Sequence, residues 1–154
     1  MISSIAILTL STALFLFYVQ TLCEKILRRE FSQAYFKDVL GVIDLEFPRL
    51  REALSANAPM SYSQIRLALK CDFLTLRYLV ENGNPKRRSL SWQEKTLVGY
   101  FHLLLLILPI RYAFHFRERQ SAMKITVILY HFANLVGERV AAANASNIVP
   151  IRQS

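Results

Sequence analysis

The chain opens with an uninterrupted apolar run over residues 2–22. These twenty-one residues include no charged side chain, and leucine, isoleucine, phenylalanine and small residues fill most positions. As an α-helix the run would be about 30 Å long, which matches the hydrocarbon core of a bilayer. A cleavable signal peptide typically has basic residues before such a run and a small-residue cleavage site after it, and neither accompanies this one. The pattern therefore predicts an uncleaved transmembrane anchor over residues 1–23.

Basic residues on the C-terminal side of the run predict its orientation. Lys25, Arg28 and Arg29 follow the apolar residues directly. Positively charged flanks stay on the cytoplasmic side of a membrane, so these three membrane-flanking residues place the N-terminus outside and the following domain in the cytoplasm. We expect a single-pass protein of a bacterial inner membrane.

Helical periodicity dominates the remainder, and no strand pattern is longer than a few residues. Apolar residues recur at spacings of three and four with charged residues between them, as in helices that bury one face. The predicted helices cover residues 24–40, 48–54, 62–81, 92–110 and 122–142. The sequence thus predicts an all-α fold, in which one N-terminal transmembrane helix precedes a compact bundle of four to five helices. The bundle takes residues 24–143, and an extended tail takes residues 144–154.

Two serine motifs predict where helices begin. Ser61 precedes Gln64, and Ser91 precedes Glu94, with the three-residue spacing of a capping box. In such a box the serine hydroxyl and the side chain three residues later each bond a backbone N–H group at the helix start. We expect long helices to begin directly after both serines.

The longest apolar stretch after the anchor covers residues 97–110, between Lys95 and Arg111, and contains Pro109. Fourteen residues are too few for a full span, so the stretch fits a buried core helix or a half-inserted one, and a second transmembrane segment remains an alternative. Asp72 interrupts the apolar face of the helix over 62–81. A carboxylate there needs a partner, and we expect a salt bridge to Arg111.

A basic run lies just before the predicted helix start at Ser91. Lys86, Arg87 and Arg88 are consecutive, and Trp92 follows in the first helical turn. Tryptophan favours the membrane interface and cations attract anionic lipid, so we predict that these four residues contact lipid headgroups. A solvated basic loop is the alternative. Without a reading helix or stacking aromatic residues, the run gives no reason to expect nucleic acid as a partner.

Composition excludes several classes of protein. Hydrophobic residues make up 53% of the chain, and mean hydropathy is +0.27, which is too apolar for a disordered chain. The formal charge of +8 favours anionic partners, including anionic phospholipid. Cys23 and Cys71 form no zinc or redox pattern, and the four glycines form no phosphate-binding loop. We expect neither an enzyme nor a metal site.

Three histidines raise the question of haem. His102 and His115 lie thirteen residues apart on one apolar stretch, and His131 lies on the next predicted helix. In a hairpin of these two helices, His131 falls at a different height from His102, and axial haem ligands must share one height. His131 also shares a stripe with Lys124 and Glu138, which is typical of a solvated face. We expect no cofactor.

The remaining features favour a non-catalytic accessory subunit of a larger membrane protein complex. The chain would bind other membrane subunits through its transmembrane helix and the apolar surface around residues 97–110, because a small bundle buries only part of so much apolar surface. Two alternatives stay open: a haem or redox subunit, and a membrane-tethered regulator that binds lipid.

Overall fold

The computed structural model describes residues 2–31, 33–83, 89–114 and 118–148. Within these ranges the fold is all-α, with an apolar N-terminal helix followed by a helical bundle, which confirms the predicted fold class. The helices are α1 (Ile2–Leu27), α2 (Phe36–Val42), α3 (Phe47–Ser55), α4 (Tyr62–Asn82), α5 (Trp92–Ala113) and α6 (Glu118–Ile148).

Helix α6 is the centre of the bundle and packs against each of the other five helices. Its residues 131–137 are all buried, so this part of the helix has no solvated face. Phe73 of α4 stacks on Phe101 of α5, with ring centroids 3.7 Å apart, and meets Phe132 of α6 edge-on at 5.6 Å. These three rings join the three long helices of the bundle in one core.

Paired side chains fix the helix directions. Arg139 on α6 contacts Glu94 near the start of α5, and Arg111 near the end of α5 donates to the Ser121 hydroxyl near the start of α6. Helices α5 and α6 are therefore antiparallel, and these two pairs place His102 opposite His131. The predicted hairpin register, which set the two histidines at different heights, is wrong because the turn comes a few residues earlier than expected.

The predicted helix over residues 24–40 is interrupted. Helix α1 ends at Leu27 and α2 begins at Phe36. The described residues between them, 28–31 and 33–35, are not helical, and we call them the strap. The backbone N–H group of Phe36 donates to Asn134 Oδ1 at 3.0 Å, and the Phe31 ring meets the His131 ring at 5.1 Å. Residues five apart point to different sides of a helix. The break lets both phenylalanines reach α6.

Gly137 permits the closest approach between the strap and α6. A Cβ atom at this position would lie 2.4 Å from the Cβ atom of Tyr35, whereas nothing lies within 4 Å of a Cβ atom built at Gly99 on α5. We therefore expect Gly137→Ala to destabilise the full chain by about 1–3 kcal/mol, as overpacking does. The matched change Gly99→Ala should raise stability by up to about 1 kcal/mol, because alanine favours helix. Thermal unfolding in mild detergent tests this contrast, and equal effects of the two changes would refute the close-packing explanation.

The helix starts and Asp72 show where sequence patterns succeeded and failed. The capping box of α5 is present, with Ser91 N 2.8 Å from Glu94 Oε2 and Glu94 N 3.3 Å from Ser91 Oγ. Ser61 precedes α4 as predicted but makes no side-chain cap. Asp72 does not pair with Arg111; its carboxylate accepts a hydrogen bond of 2.6 Å from the backbone N–H group of Phe47. Asp72 thus satisfies a free N–H group at the start of α3.

Two of the predicted helices are also shorter than the observed ones. Helix α5 continues through Pro109 to Ala113, and α6 runs from Glu118 to Ile148. The predicted extended tail is therefore wrong over residues 144–148, where α6 continues beyond the three alanines at 141–143. Residues 149–154 of that tail lie outside the described residues.

Candidate functional site

No other part of the described chain packs against most of α1. The exposed fractions of its large apolar side chains lie between 61% and 70% for Ile5, Ile7, Leu8, Leu10, Leu14, Phe15, Phe17 and Tyr18. Packing against the bundle begins near Val19, and Cys23 and Ile26 are buried. Helices α1 and α5 are both long and apolar enough to cross a membrane. Only α1 presents its whole apolar length to the surroundings, since none of its most apolar window is buried.

Helix α5 buries one part of the apolar surface that was predicted to bind other subunits and exposes the other part. Leu97, Phe101, Leu104 and Leu108 are buried in the bundle, and they account for one face of the helix. Leu106 and Ile110 on the opposite face are 70% and 56% exposed. An external partner or a bilayer therefore reaches only this outward face.

The end of α1 lies beside the start of α5. A cavity of about 330 Å³, which we call the polar cavity, lies between the strap, the start of α5 and α6. Its polar or aromatic lining residues are Arg29, Ser91, Trp92, Gln93, Glu94 and His131, and Ile26, Leu97 and Leu135 complete the lining. A shallower groove of about 350 Å³ shares Arg29 and Gln93 with it, includes Lys25, and reaches Leu22. We call this second space the flank groove.

The structure thus brings together residues that the sequence placed in separate groups. Lys25 and Arg29 were predicted as membrane flanks and Trp92 as a headgroup contact, and Arg29 and Trp92 line one cavity. Arg28 lies elsewhere, in a different cavity that includes Tyr100. Lys86, Arg87 and Arg88 lie outside the described residues, so their predicted lipid contact stays a prediction.

A buried ion pair forms one wall of the polar cavity. Arg139 Nη2 lies 2.9 and 2.7 Å from the two carboxylate oxygens of Glu94, and Arg139 Nη1 donates to the carbonyl oxygen of Val80. The side chains of Arg139 and Glu94 are only 5% and 7% exposed. Because Glu94 also bonds the N–H group of Ser91, this pair joins α4, α5 and α6 at the start of α5.

His131 is buried, contrary to the solvated face predicted for it. It is 4% exposed, the Phe31 ring covers it, and its Nδ1 atom has no hydrogen-bond partner within the described part of the chain. Burial, together with the nearby Arg29 charge, lowers the pKa of His131 to about 4, and the Glu94 charge opposes this shift. The imidazole is therefore neutral at physiological pH.

This depressed pKa predicts a specific loss of stability in acid. The unfolded chain takes up a proton at its ordinary histidine pKa of 6.5, whereas folded His131 resists protonation until about pH 4. Stability from this residue is complete above pH 6.5 and falls as the pH is lowered toward 4, by about 3 kcal/mol in total. Unfolding of the full chain in mild detergent should show that His131→Phe removes this part of the pH slope. His102→Phe, an exposed control, should retain it; an unchanged slope in His131→Phe would contradict the assignment.

The histidines do not form a haem site among the described residues. His102 is exposed on the side of α5 next to α4, where its ring meets Phe73 at 5.5 Å, whereas His131 lies under the strap. His115 lies outside the described residues. Within the ranges that the structure covers, no three His, Cys, Asp or Glu side chains gather as metal ligands.

The chain matches no known protein-family profile, no curated protein and no solved structure. The fold defines the class instead: an all-α bundle around a buried central helix, with an apolar N-terminal helix left uncovered. Its function is therefore argued from these surfaces.

Proposed function

We propose that this protein is a non-catalytic accessory subunit of a membrane protein complex. Helix α1 crosses a bacterial inner membrane with its N-terminus outside, and the helical domain lies on the cytoplasmic side. The observation that carries the proposal is the uncovered length of α1. The exposed stretch over residues 3–18 would span about 24 Å, and only lipid or another membrane protein offers apolar cover for it.

Two further surfaces support a protein partner. The outward face of α5 exposes Leu106 and Ile110, and α4 exposes Leu67, Leu74 and Tyr78 along one side. One bare helix is enough to hold a protein in a bilayer, so exposed apolar residues on two further helices favour contact with other subunits.

Site-specific photocrosslinking in native membranes tests the proposal. A photoreactive phenylalanine analogue at Leu10 of α1 or Leu106 of α5 should form adducts with a small, reproducible set of membrane proteins. The same analogue at Val42, which is 87% exposed at the end of α2, is the control and should form none. Adducts with lipid alone from both Leu10 and Leu106 would contradict a subunit role.

A further inference from the structure

The polar cavity and the flank groove together offer donors for an anion. Lys25 has no ion-pair partner within the described part of the chain. Arg29 uses Nη2 to contact Glu138, at 3.0 and 3.2 Å, and a guanidinium carries three further N–H donors on its other nitrogens. The carboxylate of Glu94 also lines the cavity, but Arg139 neutralises it. Glu138 likewise pairs with Arg29, so within the described residues Lys25 supplies the uncompensated positive charge on the side of the site that opens to the flank groove, and Arg29 supplies its remaining N–H donors.

The start of α5 adds backbone donors to the same space. Trp92 and Gln93 are the first two residues of this 22-residue helix, and their N–H groups have no acceptor within it. The positive end of a long helix dipole and its free N–H groups favour phosphate. His131, buried and with Nδ1 unpartnered within the described residues, lines the cavity and offers one more polar contact.

The position of the site identifies the source of the phosphate. The flank groove begins at Leu22, where the predicted membrane span ends; Lys25 lies about 5 Å further along α1, and Arg29 follows just after the helix ends at Leu27. The headgroup layer of a bilayer lies just outside the hydrocarbon core at this depth. Leu22 and Ile26 line the groove with apolar surface, next to the basic residues. A molecule with a phosphate and an acyl chain matches both parts.

We propose that the polar cavity and the flank groove bind the phosphate of an anionic glycerophospholipid. Lys25, Arg29 and the first turn of α5 hold the phosphate, His131 and Gln93 contact the polar headgroup, and the acyl chains leave along Leu22. This site rests on the proposed membrane attachment through α1, but it does not require any protein partner.

Trp92 supplies a direct probe, since it is the only tryptophan of the chain and lines the cavity. The full chain in neutral detergent is titrated with dihexanoyl phosphatidylglycerol, dihexanoyl phosphatidylcholine or inorganic phosphate, and Trp92 fluorescence is recorded. We expect phosphatidylglycerol to bind at least about tenfold more tightly than either of the others. Equal binding of phosphatidylcholine would overturn the anionic selectivity, and equal binding of inorganic phosphate would overturn the lipid assignment.

Two double variants that each remove two positive charges test the location of the site. Lys25→Gln combined with Arg29→Gln should weaken phosphatidylglycerol binding by about tenfold or more, as the loss of two charge-assisted contacts predicts. Arg66→Gln combined with Lys70→Gln removes the same charge from the exposed face of α4 and should leave binding unchanged. Equal losses in both double variants would show general electrostatic attraction and overturn the site.

His131→Phe provides an independent check that keeps the surface charge. Filling the cavity should weaken phosphatidylglycerol binding several-fold while the far-ultraviolet circular dichroism spectrum stays unchanged, and unaltered binding would remove His131 from the site. These titrations use the isolated chain, so their failure leaves the subunit proposal standing. Conversely, failed crosslinking to other proteins leaves this lipid site intact.

Discussion

Replacing Arg139 with methionine should destabilise the full chain by about 3–5 kcal/mol. The change leaves the Glu94 carboxylate buried without its charged partner, since both side chains are less than 10% exposed. It also removes the donor to the Val80 carbonyl group, so the contact between α4 and α6 loses a hydrogen bond. Denaturant unfolding in mild detergent, followed by far-ultraviolet circular dichroism, measures the effect.

The partner substitution shows whether the loss comes from the unpaired charge. In the double variant Glu94→Gln and Arg139→Met neither position carries a charge, and glutamine still closes the capping box with Ser91. We expect it to recover most of the stability lost in Arg139→Met. Arg77→Met breaks a half-exposed ion pair with Glu81 and should cost under about 1 kcal/mol. A similar small effect for Arg139→Met would contradict the assigned role of the buried pair.

Placing an arginine at Leu10 should prevent stable insertion of α1 into a bilayer. Leu10 lies near the middle of the apolar run and is 63% exposed, so no part of the protein shields a charge there. A charged residue at the centre of a membrane helix costs about 2.5–3.5 kcal/mol of insertion free energy. A second arginine at Leu14 should roughly double that cost, which converts most of the chain to an uninserted form.

Alkaline carbonate extraction of membranes reads out this insertion. The wild type should remain in the membrane pellet, and the variant with arginine at both Leu10 and Leu14 should move to the supernatant. Leu67→Arg is the matched control, because Leu67 is also exposed, at 65%, but lies on α4 of the bundle. Retention of the double variant in the pellet would show that α1 is not the anchor.

Sequence periodicity predicted α4 because that helix buries one apolar face of regular spacing. It also located the start of α5 correctly, since the Ser91 capping box is a local motif that requires no tertiary contact. It failed at the strap, where Phe31, Tyr35 and Phe36 contact α6 more than 90 residues away along the chain. No local pattern encodes such a contact.

The central position of α6 explains the error at His131. Periodicity separates a buried face from a solvated one, but residues 131–137 are buried on every side. Charged neighbours on the same helix therefore gave a misleading prediction of exposure. Glu138 binds Arg29 of the strap, and Arg139 binds Glu94 of α5. These two charged side chains of α6 therefore form ion pairs with other elements.

The sequence identified several residues of the candidate lipid site but did not predict that they lie together. Charge next to an apolar run identified Lys25 and Arg29, and an interfacial aromatic residue identified Trp92. The contact between the end of α1 and the start of α5 places these residues around one space. Ser91 was identified only as a helix start and Gln93 gave no signal, because a helix N-terminus binds anions through backbone groups that carry no side-chain pattern.

The most direct test of the proposed function is to identify the proteins that stay bound to the full chain after its extraction from its own membrane in mild detergent. The chain is tagged at native expression level, and quantitative mass spectrometry gives molar ratios for the wild type and for a variant with arginine at Leu106 and Ile110. A subunit role predicts one defined set of membrane proteins at constant stoichiometry, reduced in this variant and retained in Val42→Arg, a change at the 87% exposed end of α2. Recovery of the wild-type chain alone, as a monomer or homo-oligomer, would contradict it.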